Sequence, residues 1–499
     1  MELQTKKRKV SQNQLVFSGN SDQSIELDYI LPDYYPDIFK IIKCIMCPSI
    51  TSVSTSGGRI SFDSYVNIKV LYISSADSEV NCIEQGYNYT KNVEVDYNGE
   101  VCASICPRID YNNCRAVNER RISIRGTVNN LITANAVNEI DILSEAKGGG
   151  VEVKEENISF LDELINVNKR FNYSEAINLP DTKEQIGCIY NVSTVISSLD
   201  YKIIANKIII KAKCNLDILY CSEGEFKTKT EQLQLSNIID ANGISDEHEC
   251  KLLLFVNSCE YELEGDENAV LNIMLNVEAV CKAYIAGNID VVTDAYSTDY
   301  ELDTSKETIE IKSFEEKIDD TFEVNTSIKI DDIVSVDAII VKLEDKACAL
   351  KDARIGGSVN VLALGKNSNG ETVYGEKTSV IEYDTKLNAS NLSGILDMCI
   401  RSYSFTLSAD CVVDIRTDVL ISGYAFSSRN MNVISSIDLS EEKQRKRTGG
   451  IVIYYAEPGE SVWEIAKRYN SSADAIMKEN SIEIESIDKR CGLLIPMVF

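Results

Sequence analysis

Residues 207–218 read Lys207-Ile208-Ile209-Ile210-Lys211-Ala212-Lys213-Cys214-Asn215-Leu216-Asp217-Ile218, an apolar run that becomes a strict alternation of apolar and polar. Successive side chains leave a strand on opposite faces, so a period of two rich in β-branched residues marks a half-buried strand. The pattern continues through Leu219 and Tyr220. It also occurs 148 positions earlier (207 less 59), where Arg59 to Tyr72 places Asn67, Leu71 and Tyr72 at the positions later held by Asn215, Leu219 and Tyr220. One strand type used twice at a fixed offset predicts a repeated β fold.

Other signals keep that spacing to within one residue. Leu31-Pro32-Asp33 returns as Leu179-Pro180-Asp181, and Ile140-Asp141-Ile142 as Ile289-Asp290-Val291. Ile437-Asp438-Leu439 and a degraded corner at Ile330-Asp331-Asp332 extend the series to a third copy. Val359-Asn360-Val361 and Leu271-Asn272-Ile273 alternate as well, and many short strands broken by Asn, Asp, Ser and Gly indicate a sandwich or barrel. One helix is expected inside the repeats. Ile38, Ile41, Ile42 and Ile45 fall at helical spacing behind Pro36, and Ile186 and Ile189 keep that spacing in the second copy.

The expected fold is therefore mainly β, with three tandem sandwich- or barrel-like repeats followed by a small βααβ module. The repeats are placed at residues 1–147, 151–297 and 320–440, a basic and Gly-containing linker at 441–450, and the module at 451–499. Lys147 to Gly150 and the polar stretch Asp299 to Asp320 are read as the linkers between repeats.

Bulk properties restrict the function. The 499 residues carry a formal net charge of −28, which repels phosphate backbones and anionic lipid, so neither nucleic acid nor bare membrane is an expected partner. No apolar run reaches the ~20 residues of a membrane span. Lys6-Lys7-Arg8-Lys9 lacks the apolar stretch of a secretory signal and is read as a solvated basic tail, with a nuclear-import signal as the alternative. The 16 Cys are expected to be reduced thiols. Cys44-Ile45-Met46-Cys47 stands alone, whereas a zinc site needs four ligands.

No catalytic constellation emerges. The single His, His248, lies between Glu247 and Glu249 without an arranged nucleophile and is read as a solvated loop residue. Gly148-Gly149-Gly150 and Gly356-Gly357-Ser358 lack the Lys-Ser/Thr ending of a phosphate loop. Glu460 and Glu464 are explained by capping and solvation rather than by glycoside hydrolysis. The expectation is a non-enzyme without cofactor or metal; a cell-wall hydrolase would need a catalytic domain in residues 1–440.

The last fifty residues change character. Tyr454-Tyr455-Ala456 reads as a strand, Pro458-Gly459-Glu460 as a turn, and Ser461-Val462-Trp463-Glu464 as a capping box. Val462, Ile465, Ala466 and Tyr469 make one helical face. A second helix runs from Ser472 to near Asn480, and Leu493-Leu494-Ile495 closes the module before Pro496. Tyr454, Pro458, Gly459, Glu460, Ser461, Val462, Trp463, Ile465 and Ala466, then Tyr469, Ile476, Asn480, Ile495 and Pro496, resemble the lysin motif (LysM). Ala456, Glu460 and Arg490 depart from its usual residues.

The resemblance implies a shallow groove for N-acetylglucosamine polymers between two loops, here Gly459, Glu460 and Ser461 with Asn480, Ser481 and Ile482. Trp463, the one Trp of the chain, is either a contact or a core ring.

Leu31-Pro32-Asp33-Tyr34-Tyr35-Pro36-Asp37-Ile38 looks like the opening of a SPOCS domain. Three β repeats followed by a lysin motif resemble the SipL-like, SPOCS-domain spore-coat morphogenetic proteins of clostridia. That resemblance implies a coat-assembly scaffold in the mother-cell cytoplasm at the forespore surface and in the spore coat. Its LysM would bind the spore-coat morphogenetic ATPase, and its partners would include other coat proteins; self-association of the repeats is left open. The alternative is LysM-mediated binding of peptidoglycan or another N-acetylglucosamine glycan at the cortex or cell wall.

Overall fold

The computed structural model describes residues 3–76, 78–179, 186–222, 224–264, 270–344, 349–351, 353–389, 391–443, 451–483 and 486–496. The first segment holds β1 (Gln4–Ile30), β2 (Ile38–Ser56), β3 (Arg59–Ser74), β4 (Val80–Glu94), β5 (Cys102–Asn118) and β6 (Arg121–Lys147). The second holds β7 (Val151–Asn178), β8 (Ile186–Ile204), β9 (Lys207–Ser222), β10 (Glu225–Asp240), β11 (Glu249–Glu264) and β12 (Val270–Ser297). The third holds β13 (Tyr300–Lys329), β14 (Ile333–Glu344), β15 (Ala349–Lys351), β16 (Arg354–Asn367), β17 (Thr372–Asp384), β18 (Ser393–Leu407) and β19 (Val412–Glu442).

The pairing recurs. First and last strands form a long antiparallel ribbon, β1 with β6, β7 with β12 and β13 with β19, and each ribbon gains one further strand, β5, β11 or β18. The three strands β2-β3-β4 make a second sheet, matched by β8-β9-β10 and β14-β16-β17. In the third segment β15 joins the two sheets into one of seven strands. The alternation read from sequence sets the inward faces. Ile60, Phe62, Val66, Ile68, Val70 and Tyr72 of β3 are buried, as are Ile208, Ile210, Ala212, Cys214, Leu216, Ile218 and Tyr220 of β9. Each such aliphatic side chain contributes roughly 1.5–3 kcal/mol on burial.

The three ribbons share a core beyond the sandwiches. Ile142, Val291 and Val433 meet there with Val10, Ile158 and Ile309. One layer further, Leu143 and Ala146 pack with Val292 and Ala295 and with Ile434 and Ile437. The pairs Val10–Ile140, Ile158–Ile289 and Ile309–Met431 confirm the register. The third-copy equivalent of Ile289 is therefore Met431, six positions (437 less 431) before the Ile437-Asp438-Leu439 match suggested by sequence. The degraded corner at Ile330 does occupy the expected place: Ile330 N donates to the Cys411 carbonyl at 3.0 Å, as Leu31 N donates to that of Arg120 at 2.8 Å. Pro180 and Asp181 lie outside the described residues.

Several expectations are corrected. Ile38 to Ile45 is not a helix but the start of β2, with register shifts between Ile38 and Lys40 and between Ile41 and Lys43. Each bulge inserts a residue and converts a period of two into the spacing that mimics a helix. Ile186 and Ile189 lie on β8 and flank the same kind of shift. Asp299 to Asp320 is not a linker; from Tyr300 it is β13, with one face polar because it remains in solvent.

Gly148 to Gly150 form a tight turn with φ of 102°, 58° and 60°. A Cβ on Gly150 would lie 2.4 Å from Thr298 Oγ1, so both backbone and space require glycine there. Glu441 and Glu442 end β19, while residues 444–450 of the expected linker lie outside the described residues. The basic N-terminal run belongs to β1, where Arg8 pairs with Asp162 at 3.3 Å and Lys9 with Glu139 at 2.7 Å.

His248 is buried rather than solvated, and its Nδ1 accepts from Ser245 N at 3.2 Å. Cys106 is disulfide-bonded, which corrects the all-thiol expectation, while Cys44, Cys47, Cys250 and Cys281 are among the free cysteines.

Candidate functional site

The module consists of β20 (Ile451–Ala456), α1 (Val462–Tyr469), α2 (Ala473–Asn480) and β21 (Cys491–Pro496), in the order expected. β20 and β21 pair antiparallel from Ile451 with Pro496 to Ala456 with Cys491. Val462, Ile465 and Ala466, predicted as one helical face, are buried with Ala456, Ile476, Leu493 and Ile495. Tyr469 completes the face half-buried, its ring 5.5 Å from that of Tyr454. Ser461 caps α1, its hydroxyl accepting from Trp463 N at 3.2 Å, the second helical amide instead of the third that a capping box uses.

The first expected loop is pinned to Ser486 and Ile487, further along the chain than the expected second loop Asn480, Ser481 and Ile482. Gly459 N donates to the Ile487 carbonyl at 2.7 Å, and Ile487 N donates to the Glu460 carbonyl at 2.9 Å. Gly459 is exposed at φ 91°, with open space where a Cβ would stand. Ser461 bridges to Ser486. The side chains of the two loops are committed internally. Glu460 accepts from Glu457 N at 2.9 Å and from the Tyr454 hydroxyl at 2.7 Å, and these bonds hold its half-buried carboxyl below the usual range. Asn480 donates to the carbonyls of Ile476 and Leu494 and accepts from Leu494 N, tying α2 to β21. Ser481 caps α2 with φ 54°, and Ile482 is half-buried against the module core. What these loops can offer a ligand is thus mainly backbone.

Trp463 joins neither loop. Its ring is 5% exposed and packs edge-on against Tyr296 of β12, with centroids 4.9 Å apart at 67°. The indole Nε1 donates to Asp294 Oδ2 at 2.8 Å, and Lys467 Nζ reaches both Asp294 oxygens at 2.8 and 2.7 Å. Burial alone would raise the Asp294 carboxyl, but the bonds from Lys467 and Trp463 outweigh it and hold it below the ordinary value. The Tyr296 hydroxyl donates to the Ser471 carbonyl at 2.7 Å, and Lys443 donates to Asn470 Oδ1 at 2.6 Å. Asp294, Tyr296 and Lys443 carried no local signal of this seat; their partners lie far away in sequence.

Where the three segments meet, a cavity of about 830 Å³ is lined by β2, β5, β11, β12, β14, β16, β17 and β18. Two polar contacts at its wall bridge the first and third segments: Lys43 pairs with Glu376 at 2.5 Å, and Lys342 donates to Cys47 Sγ at 2.8 Å. Glu278 accepts from Arg170 at 3.0 Å within the second segment. Cys44 meets Cys114 instead of its CxxC neighbour. No group of three metal-ligating side chains occurs among the described residues.

Two family models match. Residues 185–264, which span β8 to β11, match the SipL, SPOCS domain, and residues 454–488 match the LysM domain. No curated protein and no solved structure matches the chain.

Proposed function

We propose that this chain, a sporulation-associated protein carrying a SPOCS domain and a LysM domain, is a non-enzymatic scaffold for spore-coat assembly. In this reading its LysM binds the spore-coat morphogenetic ATPase, and the β repeats add contacts to other coat proteins and to further copies of the chain. Its place is the mother-cell cytoplasm at the forespore surface, and then the coat.

The observation that carries a protein partner is the outer face of β20. Ile453 and Tyr455, two residues apart and so on one side of the strand, are 62% and 69% exposed. An exposed apolar–aromatic pair suits a protein surface, whereas Glu460 and Asn480, which could pair with a glycan, are hydrogen-bonded within the module.

The test is capture of the ATPase by the full chain and by Ile453→Asp and Tyr455→Asp. Both variants are expected to lose capture with the module still folded, and undiminished capture would sink this assignment. Deleting the module is a poorer test, because it also uncovers Tyr296 and Asp294.

The second reading is an N-acetylglucosamine glycan held by Gly459, Glu460 and Ser461 with Asn480, Ser481 and Ile482. The open space over Gly459 favours it. Calorimetric titration with chitin oligomers is the direct test; saturable heat in the wild type, lost in Gly459→Trp, would establish it.

A further inference from the structure

We propose that the LysM module and β12 form a reversible latch, in which Asp294 and Tyr296 hold Trp463 closed and opening frees the Trp463 side of α1 for the partner. This rests on the reading of the module as the partner-binding unit and adds its regulation.

Three observations lead to it. First, the module core is complete without the seat: among its buried members only Tyr296 comes from outside residues 451–496. Separation therefore needs no unfolding of the module. Second, the seat is small and water-reachable at its edge, with the Lys467 and Asp294 side chains 39% and 23% exposed. Interfaces of this polar kind within one chain are those that open. Third, the closed state buries a large aromatic whose indole N–H is satisfied by a carboxylate from another segment. Tyr and Trp that bury a ring and satisfy a polar tip are the residue types that dominate protein contacts when they are released. In the closed state that surface is occupied, so a partner using it competes with β12.

Because the chain has one Trp, its emission reports the latch directly in the full-length protein. Asp294→Asn removes the charge that both Trp463 and Lys467 address, and is expected to move the closed–open balance roughly tenfold or more toward open. Emission should shift to the red, acrylamide quenching should rise, and capture of the coat ATPase should rise with it.

Tyr296→Phe keeps the ring but deletes the bond to Ser471, and should give a smaller change in the same direction. Far-UV circular dichroism of both variants should match the wild type; if Asp294→Asn fails to fold, Tyr296→Phe carries the test. Unchanged emission and quenching in the folded variants overturn the latch. A red shift with reduced capture overturns the competition and makes β12 a positioning seat. A red shift with no capture by any variant, wild type included, supports a seat that opens and sinks the partner reading instead.

Discussion

Trp463 and Asp294 stand 169 residues apart in the chain and 2.8 Å apart in the fold, indole Nε1 to carboxylate Oδ2. The same carboxylate takes Lys467, so one acidic side chain of a repeat holds two residues of one turn of α1. Separate domains on a tether would share no such contact.

The pH dependence follows from the charges at the seat. Asp294 is held below its ordinary value, so its contribution is present above the ordinary carboxylate range, near pH 4, and is lost as pH falls through the depressed value. Glu152 on β7, facing Ser472 and Asp474, is raised by burial; protonating it removes an unfavourable charge and tightens the contact first. Tyr296 is raised by burial and stays neutral throughout. Trp463 emission is expected to hold from neutrality down to about pH 4 and then shift red. A red shift that starts above pH 6 would contradict this assignment.

Lys69 joins the first two segments. Its Nζ donates to the carbonyls of Ile189 and Tyr190, each at 3.1 Å, and to the Tyr261 hydroxyl at 2.6 Å, and it pairs with Glu84 at 2.6 Å. Breaking a buried pair costs about 3–5 kcal/mol, and the partial exposure of Glu84 reduces this to about 2–3 kcal/mol. Lys69→Met, which keeps the apolar stem, should lower the urea midpoint accordingly. A loss below 0.5 kcal/mol would show that water replaces the ammonium without cost.

Two glycines with positive φ separate strain from crowding. Gly459→Ala meets only the backbone penalty, about 1 kcal/mol, because nothing lies within 4 Å. Gly150→Ala adds a Cβ at 2.4 Å from Thr298 Oγ1 and should cost more, by about 1–3 kcal/mol. Thermal melts of the two variants decide; equal losses would refute the crowding at the β6–β7 turn.

Thiol reactivity should follow burial. Cys47 is exposed, whereas Cys250 and Cys281 are buried with their sulfurs 2.8 Å apart. The hydrogen bond shared with Cys250, which favours the neutral thiol, pushes Cys281 well up together with burial, and burial does the same to Cys82. Only the thiolate alkylates. Native iodoacetamide labelling read by peptide mass should mark Cys47 first and leave Cys82 and Cys281 unmodified until denaturant is added. Early labelling of Cys281 would mean that the β11–β12 ladder opens locally.

The helix misread at Ile38 to Ile45 shows where local pattern stops. Two bulges in β2 produce an i, i+3, i+4 series that periodicity cannot distinguish from a helix. The pairing of β13 with β19 was equally hidden, because a ribbon with one face in water carries the polar composition of a linker. By contrast, β3, β9 and the whole βααβ order of the module were legible, since each depends on residues within one or two turns of each other.

From the sequence alone came the β repeats, the strand faces, and the βααβ order of the module with Ser461 as a cap. These follow from alternation, turn chemistry and capping, which act over a few residues. The tertiary structure decided the threefold ribbon core, the register of the third copy through Met431, and the fate of Trp463. An exposed indole and an indole seated on Asp294 and Tyr296 have the same local sequence. Only the long-range packing, which brings a carboxylate and a phenol to that ring, sets which one the fold contains.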